Sequence, residues 1–313
     1  MEFFNPNINI DFLSLRKRRR LAVTSTIAIL VCLGSIIFHG FNFGIDFTGG
    51  TLVEVNYPDS VELGQVRELL DNSEFRGAVV QYYGTSNDVL IRLAPRKDLD
   101  SSQISNRILN LLGSKGQKVE MRRVEFIGAQ VGEELAEDGG LAMIYALLGI
   151  LIYVALRFQI KFSSGAIVAT IHDVIITLGF FSLTGIEFDL SVLAAVLAVI
   201  GYSLNDTIVV FDRVRENFRR MRKSGPVEVF NTAINSTLSR TIMTSLATLL
   251  VVVALYFWGG ETLYGFSVAL IVGIVVGTYS SIYIASPVTL ALGVSKMDIL
   301  PVDKENKAAE NGQ

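Results

Sequence analysis

The chain has 313 residues, is 50% hydrophobic, has a mean hydropathy of +0.47 and carries a formal net charge of −3. This composition, with several apolar runs of membrane length, excludes an ordinary water-soluble globular protein and indicates a polytopic membrane protein. Its one cysteine, Cys32, excludes an intramolecular disulfide and suggests no metal cluster.

Residues 1–20 are read as a cytoplasmic N-terminus, closing with the basic block Arg16-Lys17-Arg18-Arg19-Arg20. The apolar run after it is longer than the roughly 7–15 residues of a signal-peptide core, and Phe38-His39-Gly40-Phe41-Asn42-Phe43 offers no small-x-small cleavage site. Residues 21–39 are therefore an uncleaved first span with its basic end in the cytoplasm.

Residues 40–137 change character. Thr51–Tyr57 alternates with period two, as a strand does. Val61, Val66, Leu69 and Leu70 mark an amphipathic helix. Ala78–Tyr83 and Val89–Leu93 read as strands, with Gly84–Asp88 as the turn between them. Ile104, Ile108, Leu111 and Leu112 form a second helical stripe, and Val119–Ile127 alternates again. The order β-α-β-β-α-β predicts a ferredoxin-like α+β domain, lying outside the cytoplasm.

Five further apolar runs follow, at 138–156, 162–183, 190–211, 241–258 and 263–290. Arg157 and Lys161 lie between the second and third of the six runs, and Arg213, Arg215, Arg219, Arg220, Arg222 and Lys223 follow the fourth. The intervening connections carry only Glu187, Asp189 and Glu261. This alternation predicts six transmembrane helices, both termini in the cytoplasm and a periplasmic 40–137 domain. Residues 212–240 are read as a basic cytoplasmic loop and 291–313 as a cytoplasmic tail, polar and disordered over 301–313. The basic clusters are orientation signals or contacts to anionic lipid, and with no recognition fold beside them nucleic acid is not expected as a partner.

Asp206 lies inside the fourth run, seven residues before Arg213, which puts its carboxyl about 10 Å below the membrane surface. An ionisable group at that depth is costly and points to an ion or proton pathway, or to a helix-packing contact. Arg240, expected at the start of the fifth span, is at similar depth, and an acid and a guanidinium there lower each other's desolvation cost. Asn205 points about 100° away from Asp206 and is free for another contact. Thr237, Thr241, Thr244 and Thr248 form a polar stripe on the same fifth helix, which packing alone would also explain. His172 and Asp173, near the middle of the third helix, are either an accessory relay or a buried pair bonded to neighbouring helices. Ala269, Gly273, Gly277, Ser281 and Ala285 recur every fourth residue as a close-packing seam, and Pro287 kinks or ends that helix. Walker A, GxSxG and HExxH sequences are absent, and neither a cofactor nor a metal is expected.

Two long stretches carry a resemblance. Gly44-Ile45-Asp46-Phe47-Thr48-Gly49-Gly50-Thr51 resembles the signature after the first helix of the SecF family of protein-export membrane subunits (SecD/SecF family, RND superfamily). Gly201-Tyr202-Ser203-Leu204-Asn205-Asp206-Thr207-Ile208-Val209-Val210-Phe211-Asp212-Arg213 resembles its fourth-helix signature, and Ser236-Thr237-Leu238-Ser239-Arg240-Thr241 its fifth. The resemblance spans residues from about 10 to 295 and implies half of an RND-type bundle. It implies partnership with SecD, the SecYEG channel and YajC, and use of the proton-motive force to draw unfolded preproteins outward. Asp206 would be the proton-relay carboxylate and Arg240 its partner, with Gly44, Asp46, Gly49 and Gly50 as family signature residues. Against this stand a proton-driven exporter of small molecules or lipids and a purely structural stabiliser of the export channel. Sodium in place of protons stays open, because a carboxylate serves either ion.

Overall fold

The computed structural model describes residues 10–95, 101–114, 118–221 and 223–298; the tail expected to be disordered lies outside the described residues, as does Arg222. Six helices in it are long and apolar enough to cross a membrane. They are α1 (Leu15–Phe38), α5 (Ala129–Arg157), α6 (Ile160–Thr184), α7 (Leu190–Arg220), α8 (Pro226–Trp258) and a broken sixth. The sixth consists of α9 (Tyr264–Ser280), a π turn (Ser281–Ala285) and α10 (Ser286–Ala291). The most apolar windows of α6, α7 and the sixth helix are each 56% buried, against 11–17% for α1, α5 and α8, so the first three form the centre and the others its flanks.

Small residues set these contacts. A Cβ on Gly273 would lie 2.1 Å from Cγ2 of Val199, and one on Gly179 would lie 2.2 Å from Cβ of Cys32. Bulk at either position would push α9 off α7, or α1 off α6. Apolar solvent gives helices little reason to associate, so close backbone approach supplies the dispersion contact instead. The seam at Gly273 and Gly277 therefore packs as its spacing predicts, with Gly277 against Ser203.

Between α1 and α5 lies the α+β domain. A short helix α2 (Ile45–Thr48) leads into β1 (Gly50–Asn56), α3 (Leu63–Asp71), β2 (Val79–Tyr83), β3 (Thr85–Leu93), α4 (Ser101–Gly113) and β4 (Glu120–Ile127). The sheet order is β2-β3-β1-β4 and every neighbour is antiparallel, which is the ferredoxin-like arrangement read from the alternating segments. One face is covered by α3 and α4, with Val53, Val55, Leu70, Ile91, Ile108 and Leu112 buried between.

Several boundaries differ from those the sequence suggests. The stretch 212–240 is not a loop: α7 runs on to Arg220 and α8 starts at Pro226, with Gly225 as N-cap and the proline in the first turn. Arg240 therefore lies well inside α8, not at its start. The cause is an amphipathic stripe that outlasts the uniformly apolar run. Val210, Val214 and Phe218 on α7 and Phe230 and Ile234 on α8 bury against Phe162 and Phe211. The Phe162 ring stacks with Phe230 at 6.3 Å between centroids and meets Phe211 edge-on at 5.1 Å. Glu216 pairs with Arg213 and Arg220 on the outer face of that extension. Likewise α5 begins at Ala129, so the last residues assigned to the α+β domain are the first turns of a long helix. The β2–β3 turn is tighter than Gly84–Asp88: β3 starts at Thr85, and Gly84 alone turns the chain at φ 76°. Pro287 does not end the sixth helix; the π turn precedes it and the proline opens α10.

Candidate functional site

Two carboxylates lie in the middle of the helix bundle. Asp206, on α7, is 9% exposed, and Asp173, on α6, is wholly buried. A buried carboxylate persists only where donors replace its water. Asp206 accepts from Thr241 Oγ1 of α8 at 2.5 Å and from Ser281 Oγ of the π turn at 2.9 Å. Asp173 accepts from Ser203 of α7 and from Ser280 Oγ of α9 at 2.6 Å, while its Oδ1 lies 2.9 Å from Nδ1 of His172. Ser280 and Ser281 are adjacent in the chain. The helix that changes from α to π geometry between them thus holds both acids, one from each serine. Local π geometry of this kind recurs at functional sites.

Each of those serines has a second neighbour. Ser281 Oγ is 3.0 Å from the Thr278 carbonyl and Ser280 Oγ is 3.1 Å from the Gly277 carbonyl. A hydroxyl has one proton to donate and lone pairs to accept with. Facing an ionised acid, the serine donates to it; facing a protonated acid, it turns its own proton to the carbonyl and accepts the acid's. Both protonation states of the Asp206 carboxyl therefore find hydroxyl partners, through bonds of unequal strength.

The other residues singled out in the sequence fall into place around this pair. Arg240 is exposed on α8 and makes no hydrogen bond or ion pair with Asp206 among the described residues, although it is near enough for a charge–charge interaction. Asn205 is exposed on α7, on the side away from the buried acid. Of the threonine stripe only Thr241 reaches a carboxylate; Thr237, Thr244 and Thr248 bond to carbonyls of their own helix. Ser281, placed in the packing seam by its spacing, is instead a donor to Asp206. His172 bonds Asp173 and sets its ring 6.2 Å from that of Tyr279, whose hydroxyl meets Ser25 of α1 at 2.9 Å. Sequence reasoning missed Ser203, Ser280 and Ser281 as donors. The only signal was their hydroxyls in otherwise apolar runs. Among the described residues no group of three or more His, Cys, Asp and Glu side chains is arranged to hold a metal.

A second constellation lies where the α+β domain meets the bundle. Asp46, in α2, accepts from the backbone N–H of Leu190 at the start of α7 at 3.0 Å. Asp189 caps the same helix from within, accepting from Val192 N at 2.8 Å. Phe43 and Phe188 form a parallel bridge, with Gly44 N donating to the Phe188 carbonyl at 2.9 Å. Asn42 Nδ2 donates to the Gly185 carbonyl at 3.0 Å. Arg92 of β3 pairs with Glu187 and donates to the Phe43 carbonyl at 2.8 Å. Burial pushes the Glu187 carboxyl above its ordinary range despite the pull of Arg92. Gly49 and Gly50 have φ of 64° and 131°, and a Cβ on Gly50 would lie 2.3 Å from the Leu93 carbonyl oxygen, so only glycine makes this turn from α2 into β1. Beside these contacts a cleft of about 490 Å³, lined by Gln81, Tyr83, Glu125 and Gly265 among others, separates the open face of the sheet from the ends of the helices.

Comparison with known proteins agrees with this geometry. The family described as "Protein export membrane protein SecD/SecF, C-terminal" matches residues 108–295, and the "SecD/SecF GG Motif" matches residues 34–57. The chain is 48% identical over 289 residues to the protein translocase subunit SecF of Vibrio alginolyticus, covering 92% of each chain. It is 49% identical over 298 residues to the SecF of Pseudomonas aeruginosa, covering 94% of this chain and 96% of that one. Among solved structures it resembles SecDF of Thermus thermophilus, described as a translocon-associated membrane protein, with a TM-score of 0.83 and 37% identity over 93% of this chain. It spans 39% of that SecDF chain. A SecDF structure in a super-membrane-facing form matches with a TM-score of 0.68 over 97% of this chain.

Proposed function

Because the chain belongs to the SecD/SecF family of protein-export membrane proteins, as a multi-pass subunit of the SecF translocase type rather than a catalytic enzyme, we propose that it couples the proton-motive force to protein export. In this reading it pairs with SecD, whose helices complete the bundle, and the pair works beside the SecYEG channel with YajC. The basic ends of the helices and both termini lie in the cytoplasm, and the α+β domain lies in the periplasm, where it acts on the emerging unfolded preprotein.

The observation that supports this most is Asp206 held between three helices by hydroxyls that can serve either of its protonation states. A proton entering from the outer side neutralises the acid, and Thr241 and Ser281 then exchange a charged acceptor for a neutral partner. Charge-assisted bonds are roughly twice as strong as neutral ones, so the three helices are held less tightly and shift. Each charge crossing the membrane potential supplies about 2.3 kcal/mol per 100 mV. Arg240 acts through its field, without direct contact. Its exposed position on α8, one turn from Thr244, leaves polar groups on a face that lipid would not solvate, and SecD is the natural cover for it.

Replacing Asp206 by Asn tests the proposal in vesicles holding the assembled complex. Preprotein export should lose its stimulation by an imposed proton gradient, while co-purification with SecD is unchanged. Stimulation that survives in Asp206→Asn refutes the relay. Stimulation that follows a sodium gradient instead would assign the same carboxylate to the other ion.

A further inference from the structure

We infer that Asp46 is a positioning residue that ties the α+β domain to α7, so that movement of the helix carrying Asp206 reaches the domain through this carboxylate. The inference rests on the relay reading above and names the route by which the relay does work.

Three observations lead to it. Asp206 and Leu190 belong to one uninterrupted helix, α7. Sixteen residues separate them, about 24 Å at 1.5 Å per residue. A helix of that length moves as a rigid body, so a shift at Asp206 appears at Leu190. At Leu190 the backbone N–H has no partner within its own helix. The carboxylate that satisfies it comes from the α+β domain, through Asp46. Acceptance by a charged group at a helix N-terminus gains from the helix dipole as well as from the bond itself.

The domain side of the joint is stiff. α2 has four residues, and Gly49 and Gly50 lead directly from it into β1. On its other flank α2 rests on α5, where a Cβ on Gly132 would lie 2.5 Å from Gly49 N. The short helix is thus wedged between the first turns of α7 and α5. A change in the relative position of those two helices tilts α2, and β1 tilts with it.

Other polar contacts among the described residues mark where load can pass. Those of Asn42, Gly44 and Arg92 all fall on the loop Gly185–Phe188 that leads into α7. Arg123 Nη1 also donates to Thr262 Oγ1 at 3.1 Å. Elsewhere the cleft keeps the sheet and the bundle apart, leaving the domain room to rock about the joint.

The test measures proton uptake and preprotein export in the same vesicles, with the chain assembled with SecD and the SecYEG channel. Wild type should show both, and Asp206→Asn neither. If uptake and export in wild type do not depend on Asp206, the relay reading fails by itself, whatever Asp46 does. Given that dependence, Asp46→Ala should keep proton uptake within about twofold of wild type and cut export per proton about tenfold, as the loss of a charge-assisted bond would. Asp46→Asn keeps an acceptor oxygen for Leu190 but not the charge, and should fall between the two. Asp46→Ala with export per proton unchanged, or with uptake and export lowered in the same ratio, overturns the inference. Should Asp46→Ala fail to accumulate, Asp46→Asn decides alone: a lowered ratio supports the joint and an unchanged ratio overturns it.

Discussion

In the α+β domain the fully buried side chains include Val53, Leu70, Ile91, Ile104 and Ile108, whereas at the centre of the bundle they include Asp173, Thr177, Ser203, Ser280 and Ser281. The two regions belong to one chain, and the bundle buries, beside aromatics such as Phe162 and Phe211, a connected set of carboxylates and hydroxyls. The domain has water as its outer solvent, so burying aliphatic area drives its folding, at about 25 cal/mol per Å². The bundle has lipid outside, which is as apolar as leucine, and nothing is gained by hiding leucines from it. What distinguishes one arrangement of the helices from another is close approach at Gly179 and Gly273 and hydrogen bonds to buried acids. The comparison explains how the bundle can keep two ionisable groups at its centre. They are part of what orders its helices, and one of them, Asp206, is the group proposed to take up a proton.

The comparison can be broken most severely in the aliphatic core. Ile108→Ala should destabilise the α+β domain by about 2–5 kcal/mol, seen as faster amide exchange in β1 and β3, with exchange in α6 and α7 unchanged. A smaller effect is expected from overfilling the bundle. Gly273→Val places methyls against Val199 and should cost about 1–3 kcal/mol, read as a lowered melting temperature of the detergent-solubilised chain with native exchange in the sheet. If both substitutions loosened both regions equally, the two would not be separate packing problems.

The smallest effect concerns the joint between them. Glu187 is a carboxyl whose burial raises its pKa in the folded chain, only partly opposed by Arg92. A raised folded value means that the folded chain binds the proton more tightly than the unfolded one. Its contribution is fully present below the unfolded pKa and is lost as pH rises through the folded value. On acidification from about pH 7 to about pH 5, wild type should therefore gain melting temperature relative to Glu187→Gln. A difference that moves the other way would show that the pair with Arg92 dominates over burial.

Much of this architecture is legible in the sequence because the two solvents impose different periods. Uniform apolar runs mark the spans, and period-two alternation in Thr51–Tyr57 marks a strand. Asp206 announces itself as a charge where none is affordable. The limits of the reading are equally physical. The end of an apolar run marks the membrane surface, not the end of a helix, so α7 and α8 extend beyond their spans on a stripe that includes Val214, Phe218 and Phe230. The donors to the acids were hidden for another reason. Thr241 and Thr244 sit on the same helix and look alike in sequence, yet one bonds Asp206 and the other its own backbone. Only the position of neighbouring helices decides between them. The role of Asp46 was invisible for the same reason, since its partner is 144 residues away along the chain.

The central claim is that Asp206 changes protonation inside the bundle. Infrared difference spectra of the chain assembled with SecD, recorded as the pH is stepped down, observe that event directly. A protonated-carboxyl band should grow in wild type and be missing from the same experiment on Asp206→Asn. Superimposable difference spectra from the two proteins would contradict the account.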